Sequence, residues 1–562
     1  MSNIVIHHNN ASSHLFDNSI KFKSSDDIDR YIFDKIIPKL LKKDFDRIFI
    51  KDNLSTNYLE LLGLRVAYHI RLTKELGEKR FCPIIILSDL DSATLNKFDP
   101  MARILFTKNV FITSNTKDEI EKFKTKEMKN LTKGEYREKF LTLIDIEAPK
   151  DYTDHHDITN EWAIHQWSNA LSMTSDAIDI NHNKILSMLY FKYLTSLHKM
   201  NDVSEEKYEV LSSKKKGKIL YIDDEWAEGW SDILNALFQT SLNIDFKTFE
   251  YSYKDTNKFT MLRDIKQAIG KEDPDVVILD LRLSQTDHNK KEDIEQYTGI
   301  EVLKIIKEIN PGIQVIMMTA TRQSVILEKL YNYGVLGYIK KEHPNDVSVH
   351  TVENMHKLFK LVEDGLKRMY LKRIWITSLS LTTSLGTDPF EKHFTDSDSL
   401  GHNDSLGILK NEAKFIFDIL NGNMENKLNY ALISLASSLD AIQSIFIDCI
   451  YDRDRKKTDC YYLGRTLPDN KKSLNDHILY ILDKMNHKET FKENEKLLKK
   501  LIKARNNYIH SNTGYEPAQS TDILTWFILL DTIIDLIENP KQRKQHKQAS
   551  MNTLEGLADF KK

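Results

Sequence analysis

The sequence has few cysteines, prolines and glycines for its length. Its 562 residues include 3 Cys, 11 Pro and 18 Gly, so a collagen-like chain is excluded. Hydrophobic residues make up 41% and charged residues 29%, which is enough for buried cores and excludes a mainly disordered chain. At roughly 150 residues per domain, the length predicts three to four domains.

The sequence also lacks closely paired cysteines and long uninterrupted apolar segments. Cys82, Cys449 and Cys460 form no CxxC pair. Neither a disulfide framework nor a cysteine zinc site is therefore expected, and the expected compartment is a reducing cytoplasm. The first residues, MSNIVIHHNN, lack the positive region and apolar core of a signal peptide. Asp531 and Asp535 interrupt the longest apolar stretch, so no association with a membrane is expected.

Neither sign of charge is in large excess. The chain has 80 Lys and Arg against 83 Asp and Glu, a net charge of −3. This balance excludes a globally basic nucleic-acid-binding protein, although it leaves room for a local basic patch.

Composition and periodicity divide the chain into six segments. Two of them alternate short apolar runs, typical of buried strands, with helical patterns. The predicted fold class is therefore multidomain, with α/β units followed by an all-α domain. The predicted segments are an N-terminal α/β unit at 1–150, a helical connector at 151–213, an α/β domain at 214–348, a linker helix and loop at 349–407, a helical domain at 408–540 and a basic tail at 541–562.

In the second α/β segment, four predicted strands end in polar side chains. Alternating strands and helices favour a parallel sheet, whose strand ends meet at one edge where ligands bind. Crowded carboxylates favour a cation, and hard oxygen ligands suit Mg²⁺. A carboxylate beside Mg²⁺ can attack a phosphoryl group, while the metal and an ammonium stabilise its charge. The side chains concerned are Asp223, Asp224, Asp280, Thr319, Lys340 and Lys341.

Residues 218–345 resemble a response-regulator receiver domain. The resemblance rests on ILYIDDE, VVILDLRL, IMMTAT and GYIKK, in that order along the chain. It implies a flavodoxin-like fold with a parallel five-stranded sheet, in which Asp280 accepts a phosphoryl group from a histidine kinase or another phosphodonor. It also implies that Mg²⁺ is bound by Asp223, Asp224, Asp280 and the backbone carbonyl of Arg282.

The same resemblance implies which residues respond to phosphorylation. Thr319 would be the switch hydroxyl and Tyr338 the switch aromatic. Lys341 would be the family's lysine, which lies three residues after the aromatic, and Lys340 is the alternative.

Two features depart from the family. The loop after Asp280, SQTDHNKKEDIEQYTG, is longer than usual, and Glu342 replaces the usual proline. Glu225 is expected to lie in the first turn of a helix, where its negative charge interacts favourably with the helix dipole, rather than to bind metal. The alternative interpretation is a degenerate receiver that takes no phosphate.

The N-terminal unit has a weaker resemblance of the same kind. Asp89 and Asp91 follow a predicted strand, which suggests a degenerate receiver-like fold. At the ends of its predicted strands this segment lacks a pair of adjacent aspartates, a suitable threonine and a matching lysine. We therefore expect a sensing or partner-binding module of unknown ligand. In the connector, Trp162 and Trp167 are expected to be core residues.

The C-terminal segment predicts a helical bundle, with helices at 428–446, 493–510 and 521–537. Arg505, Asn506 and His510 resemble the R-x4-H motif of HEPN domains, which often act as metal-independent ribonucleases built across a dimer. The resemblance implies that Arg505 stabilises phosphate charge, that His510 assists attack of the RNA 2′-hydroxyl, and that Asn506 orients them. In the alternative, Arg505 pairs with an acidic residue such as Asp440, and His510 caps the helix.

Together these features predict a phosphorylation-regulated signalling effector. In this hypothesis, Asp280 controls a C-terminal ribonuclease that acts on RNA as a homodimer, in a stress response or anti-phage defence. In the alternative hypothesis, the protein is a non-enzymatic response regulator whose helical domain mediates dimerisation or binds a protein partner. A phosphorelay intermediate that uses His510 is a third alternative.

Overall fold

The computed structural model describes residues 2–197, 213–384 and 402–484, together with residue 523. Within these ranges it leaves out 10–12, 24, 150–151, 153–154, 214, 240–242, 253–255, 289–293, 322–328, 346–349, 423, 454–456, 463–464 and 469–472. Among the described residues, no helix has the length and apolar character needed to cross a membrane.

The N-terminal unit is a parallel five-stranded sheet in the order β2-β1-β3-β4-β5, which confirms its predicted α/β character. Its central strands are apolar throughout because both faces of the sheet are covered. Ile48 and Ile50 face one core, and Phe49 faces the other. The strands are β1 (Asn3–His7), β2 (Asn18–Lys21), β3 (Arg47–Lys51), β4 (Ile84–Leu87) and β5 (Val110–Thr113).

Helices and tighter turns surround this sheet. Asp91 accepts a hydrogen bond from the Thr94 amide and so caps one of these helices. The α-helices are α1 (Ile28–Tyr31), α2 (Ile37–Leu41), α3 (Leu62–Leu72), α4 (Ser92–Phe98), α5 (Lys117–Thr125) and α6 (Lys133–Tyr136). π-helical turns span Ile32–Ile36 and Arg137–Leu141, and 3-10 turns span Ser13–Leu15, Tyr58–Glu60, Lys74–Phe81 and Pro100–Phe106.

Three connector helices join the two α/β units and share their cores. They are α7 (His155–Leu171), α8 (Asp176–Ser187) and α9 (Leu189–Leu197). Trp162 packs into the N-terminal core, whereas Ile164 and Trp167 of the same helix pack into the core of the following unit. Both tryptophans are buried, as predicted. Helix α7 is therefore a packed bridge between the two units.

The middle unit is a second parallel five-stranded sheet, in the order β10-β9-β8-β6-β7, and the predicted receiver-like sheet is confirmed. Its strands are β6 (Gly217–Ile222), β7 (Ile244–Thr248), β8 (Val276–Leu279), β9 (Gln314–Thr319) and β10 (Gly337–Lys340). Its helices are α10 (Trp230–Gln239), α11 (Lys258–Glu272), α12 (Thr298–Ile309) and α13 (Thr351–Lys367), with 3-10 turns at Trp226–Glu228, Gln285–His288 and Ile294–Gln296.

Helix α13 belongs to this core, whereas the sequence analysis places it in a linker. Met355, Leu358 and Val362 pack with Val276 and Ile278 of β8 in one apolar cluster. Their spacing of three and four residues puts them on one helix face, which the sheet covers.

The C-terminal region contains an antiparallel sheet that the sequence analysis did not predict. Its strands contain β-branched and aromatic residues, which favour extended structure. The predicted helix at 428–446 is present, but the predicted helices at 493–510 and 521–537 lie outside the described residues except for Ile523, so the HEPN-like bundle stays a prediction. The elements are α14 (Tyr370–Ser384), α15 (His402–Asn421), α16 (Lys427–Phe446), β11 (Ile447–Asp452), β12 (Lys457–Tyr462), β13 (Arg465–Thr466) and α17 (Leu474–Lys484).

The hairpin of β11 and β12 also overturns the prediction about cysteines. Cys449 and Cys460 lie opposite each other in the antiparallel register, with Cα atoms 4.1 Å apart, and form a disulfide. A search for CxxC cannot find this pair, because strand register brings together residues 11 apart. His477 lies beside the two sulfurs, but disulfide sulfurs are not the thiolates that bind zinc. Cys82 is free and buried.

Candidate functional site

Three carboxylates meet at the carboxyl edge of the middle sheet. Asp223, Asp224 and Asp280 are 0%, 8% and 1% exposed, and one oxygen from each lies within 4.8 Å of the others. The neighbouring strands β6 and β8 pair Ile222 with Leu279, so the residues that follow emerge side by side. The sequence prediction that these carboxylates converge is therefore correct.

A glycine allows the next helix to begin directly against this edge. A Cβ atom at Gly299, near the start of α12, would lie 2.4 Å from the carbonyl oxygen of Asp280 and 2.6 Å from that of Leu281. No side chain larger than hydrogen fits there without a shift of the backbone. Close packing of α12 thus fixes the backbone on which Asp280 is presented.

Lys341 supplies the positive charge of the site. Its Nζ donates a hydrogen bond to Asp223 Oδ2 at 2.9 Å, and neither side chain is exposed. Tyr221 Oη donates to the same oxygen at 2.7 Å, and the Glu225 amide donates to Asp223 Oδ1 at 2.8 Å. The neighbouring Lys340 is only half-buried. Lys341 is thus the lysine that the fold brings to the carboxylates.

The site has an excess of buried negative charge. Burial raises the pKa of Asp280 to about 7; Lys341 opposes this rise and Asp223 adds to it. Burial and the charge of Asp223 also raise the pKa of Asp224 well above its ordinary range. Burial alone would lower the pKa of Lys341, but the charges of Asp223 and Asp280 raise it. A divalent cation would relieve this repulsion.

One oxygen of Asp280 is available for a ligand. Asp280 Oδ2 accepts a hydrogen bond from the Arg282 amide at 3.2 Å, whereas Oδ1 is buried and has no hydrogen-bond partner among the described residues. An orphaned carboxylate oxygen beside two further carboxylates suits a hard cation and an incoming electrophile. The predicted role of the Arg282 carbonyl stays a prediction.

The two predicted switch residues lie on neighbouring strands. Thr319 is buried at the end of β9, where its Oγ1 accepts a hydrogen bond from the Thr321 amide at 3.2 Å. Tyr338 on β10 is half-buried, with its ring 5.8 Å from that of Tyr331 and 4.8 Å from Lys357 Nζ. Residues 322–328, between these strands, lie outside the described part of the chain.

Asp287, which the sequence analysis did not single out, joins the two ends of the long loop after Asp280 by hydrogen bonds. Asp287 is fully buried and accepts hydrogen bonds from the amides of Leu283, Ser284 and Thr298 at 3.0 to 3.2 Å. The only signal that the sequence offers is an aspartate in a polar loop, and many surface turns share it.

Two glutamates differ from expectation. Glu225 precedes a short 3-10 turn without a capping hydrogen bond from its side chain, and its Oε2 is buried with no partner among the described residues. The expected position in the first turn of a helix is therefore not observed, and the interaction with a helix dipole stays a prediction. Glu342, at the position of the usual proline, is 3% exposed, and its oxygens accept hydrogen bonds from Trp167 Nε1 at 2.8 and 3.0 Å. Asn354 Nδ2 donates to Glu342 Oε1 at 3.0 Å. Glu342 thus links α7 and α13 to the backbone next to Lys341.

The N-terminal sheet has a corresponding edge with different chemistry. A Cβ at Gly63, near the start of α3, would lie 1.9 Å from the carbonyl oxygen of Lys51, as one at Gly299 would approach Asp280. Strand pairing gives the same correspondence, because Ile6 pairs with Ile50 as Ile222 pairs with Leu279. Lys51 therefore stands where the middle unit has Asp280. By the same register the matched positions are His7 for Asp223, His8 for Asp224, Ser88 for Thr319 and Asn115 for Lys341.

The predicted nuclease residues cannot be placed. Arg505, Asn506 and His510 lie outside the described residues. Asp440, named as an alternative partner of Arg505, is exposed on α16. Their proposed roles stay predictions.

Comparison with known proteins matches both sheets. Residues 1–113 match the family model of the Inactive Receiver domain, which confirms the degenerate receiver-like interpretation, and residues 238–353 match the Response regulator receiver domain. The chain is 32% identical over 124 residues to Sporulation initiation phosphotransferase F of Bacillus subtilis (strain 168), which covers 22% of this chain and 81% of that protein. It is 27% identical over 139 residues to DNA-binding transcriptional regulator NtrC of Proteus hauseri, which covers 25% of this chain but only 24% of that protein.

Proposed function

The chain belongs to the response-regulator receiver family, and on that premise we propose that Asp280 accepts a phosphoryl group and that its phosphorylation regulates the rest of the protein. The observation that carries this proposal is that Asp280 Oδ1, among buried carboxylates, has no hydrogen-bond partner in the described part of the chain. The phosphodonor is proposed to be a histidine kinase or a small acyl phosphate.

The donor set fits Mg²⁺. Asp223, Asp224, Asp280 and the backbone carbonyl of Arg282 would hold the ion, which would neutralise the carboxylates and the incoming phosphoryl oxygens. Asp280 attacks the phosphorus atom, the bond to the donor breaks, and an acyl phosphate forms.

The new charge would then rearrange its surroundings. Lys341, which contacts Asp223, is close enough in the fold to turn towards the phosphoryl oxygens. Thr319 is proposed to donate its hydroxyl hydrogen to one of those oxygens, and Tyr338 to follow it. Because Glu342 is covalently next to Lys341, the connector helix α7 is placed to sense this change.

Acetyl phosphate with Mg²⁺ tests the proposal on the full chain. We expect one acid-labile phosphoryl group per chain, detected by phosphate-affinity electrophoresis, and none in Asp280→Asn. Asp273→Asn is the matched control and should be phosphorylated normally, since Asp273 is exposed and lies before β8, at the opposite end of the strand from the site. Equal labelling of wild type and Asp280→Asn, or none of wild type with any donor and Mg²⁺, would contradict the proposal.

The proposed output is the C-terminal region. Support for RNA cleavage comes from the R-x4-H spacing of Arg505, Asn506 and His510 within a predicted helix, and the proposed active form is a homodimer. RNA degradation by wild type, Arg505→Ala and His510→Ala, with and without acetyl phosphate, tests this output. If wild type leaves RNA intact in both states, the alternative of a non-enzymatic regulator that dimerises or binds a protein partner is favoured.

A further inference from the structure

The carboxyl edge of the N-terminal sheet opens into a polar cleft of about 510 Å³. This volume lies within the range of roughly 300–1,000 Å³ that is typical of sites for small organic ligands. The cleft also lies where parallel α/β sheets bind their ligands, beyond the strand ends. Its lining includes His8, Lys51, Asn53, Ser55, Ser88 and Asn115.

At the positions matched to the carboxylates of the middle unit this edge carries a lysine and two histidines, and the carboxylates that line the cleft are Asp52 and Asp89. Lys51 takes the place of Asp280, and His7 and His8 take the places of Asp223 and Asp224. An ammonium and two imidazoles do not bind Mg²⁺, whose ligands are oxygens. No carboxylate stands at this position, so no acyl phosphate can form there. The edge instead presents hydrogen-bond donors to a ligand that already carries an anionic group.

Two nitrogen-bearing side chains of the cleft have an atom with no partner among the described residues. Lys51 makes no ion pair or hydrogen bond through its side chain within the described residues, and His8 Nδ1 is buried without a hydrogen-bond partner there. Asp52 forms no ion pair with Lys51 within the described residues; its Oδ2 accepts a hydrogen bond from Ser88 Oγ at 2.5 Å and its Oδ1 one from the Asn53 amide at 2.7 Å. The unsatisfied groups are those that recognise a phosphate, because a lysine ammonium attracts it as a point charge.

We propose that this cleft binds a small phosphate-bearing ligand of nucleotide size, without metal and without covalent transfer. The phosphate lies against Lys51 and His8. The rest of the ligand fills a volume far larger than one phosphate, where Asp89, Asn53 and Thr56 accept hydrogen bonds from its hydroxyl or amino groups. The N-terminal unit is thereby a ligand sensor, and α7 joins its core to that of the phosphorylated unit.

Binding to the full chain tests this inference in EDTA and without a phosphodonor, so that the outcome does not depend on phosphorylation of Asp280. The probes are the four ribonucleoside 5′-monophosphates, ribose 5-phosphate, adenosine and inorganic phosphate, measured by calorimetry and by thermal shift. We expect at least one phosphorylated organic probe to bind, and adenosine and inorganic phosphate to bind at least tenfold more weakly. Lys51→Gln should weaken binding of that probe by about 10- to 100-fold, which corresponds to the loss of one charge-assisted hydrogen bond.

Matched variants separate a lost contact from a lost fold. Lys51→Arg keeps the charge and should retain binding, whereas Lys97→Gln, at an exposed position on α4, should change nothing. If Lys51→Gln fails to fold, Lys51→Arg and the comparison of charged with uncharged probes decide the question. Equal binding of adenosine and its monophosphate, unchanged binding in Lys51→Gln, a requirement for Mg²⁺, or no binding of any probe at millimolar concentration would each overturn the inference.

Discussion

Replacing Glu342 with alanine should weaken the packing of the connector helix α7 against the receiver unit. Glu342 is almost fully buried and accepts hydrogen bonds from Trp167 Nε1 and Asn354 Nδ2. Asn354 keeps a second acceptor in the Lys340 carbonyl at 2.7 Å, so Trp167 suffers most from the loss. A hydrogen bond to a charged group contributes about 1.5–3 kcal/mol, and we expect Glu342→Ala to lower the free energy of unfolding by about 2–4 kcal/mol.

Calorimetry of the full chain measures this effect on the transition of the middle unit. At roughly 2–4 °C per kcal/mol for a domain of about 150 residues, the midpoint should fall by roughly 5–15 °C. Glu342→Gln keeps one acceptor oxygen for Trp167 and should lose about 1 kcal/mol. Glu353→Ala, at an exposed position of α13, should change stability by less than about 0.5 kcal/mol.

A double-mutant cycle with Trp167→Phe isolates the contact itself. The phenylalanine keeps an aromatic ring beside Trp230, whose ring centroid is 5.4 Å from that of Trp167, but removes the N–H donor. We expect a coupling energy of about 1–2 kcal/mol between positions 167 and 342. Losses that add to within about 0.5 kcal/mol would refute the reasoning that this hydrogen bond joins connector and receiver.

Three further predictions concern the receiver site. The pKa of Asp280 in the folded state is about 7, above its ordinary value of 3.8, so between these values the folded state holds a proton that the unfolded state has lost. Stability should therefore fall as the pH rises from about 4 through 7. In melting curves between pH 5 and 8, Asp280→Asn should flatten that fall, and an unchanged slope would contradict this prediction. Gly299→Ala should destabilise by at least about 1–3 kcal/mol because its Cβ meets the Asp280 carbonyl, whereas Gly270→Ala, whose Cβ meets nothing within 4 Å, should be neutral or stabilising in denaturant titrations. Asp287→Ala leaves buried amides unpaired, so limited proteolysis should cut between 281 and 297 faster than in wild type; equal rates would exclude its role in closing the loop.

The receiver site was largely predictable because its information is local. Each strand end carries its functional residue within one or two positions, as Asp223, Asp280 and Thr319 do. Strands buried on both faces are apolar runs that can be recognised directly, and because the strands are parallel, their carboxyl ends all lie at one edge of the sheet. Convergence of these side chains therefore follows from the order of the motifs alone.

Other features depend on which residues pack together. Trp167 and Glu342 are 175 residues apart, and their contact exists only because α7 packs beside α13. The correspondence of Lys51 with Asp280 rests on strand register, and the Cys449–Cys460 disulfide on the register of a hairpin. The sequence alone thus determined the two α/β units and, in the middle unit, the sheet edge that carries the carboxylates. The tertiary structure decided the partners across that edge, because pairing register and helix packing are set by the burial of whole faces, to which distant segments contribute together.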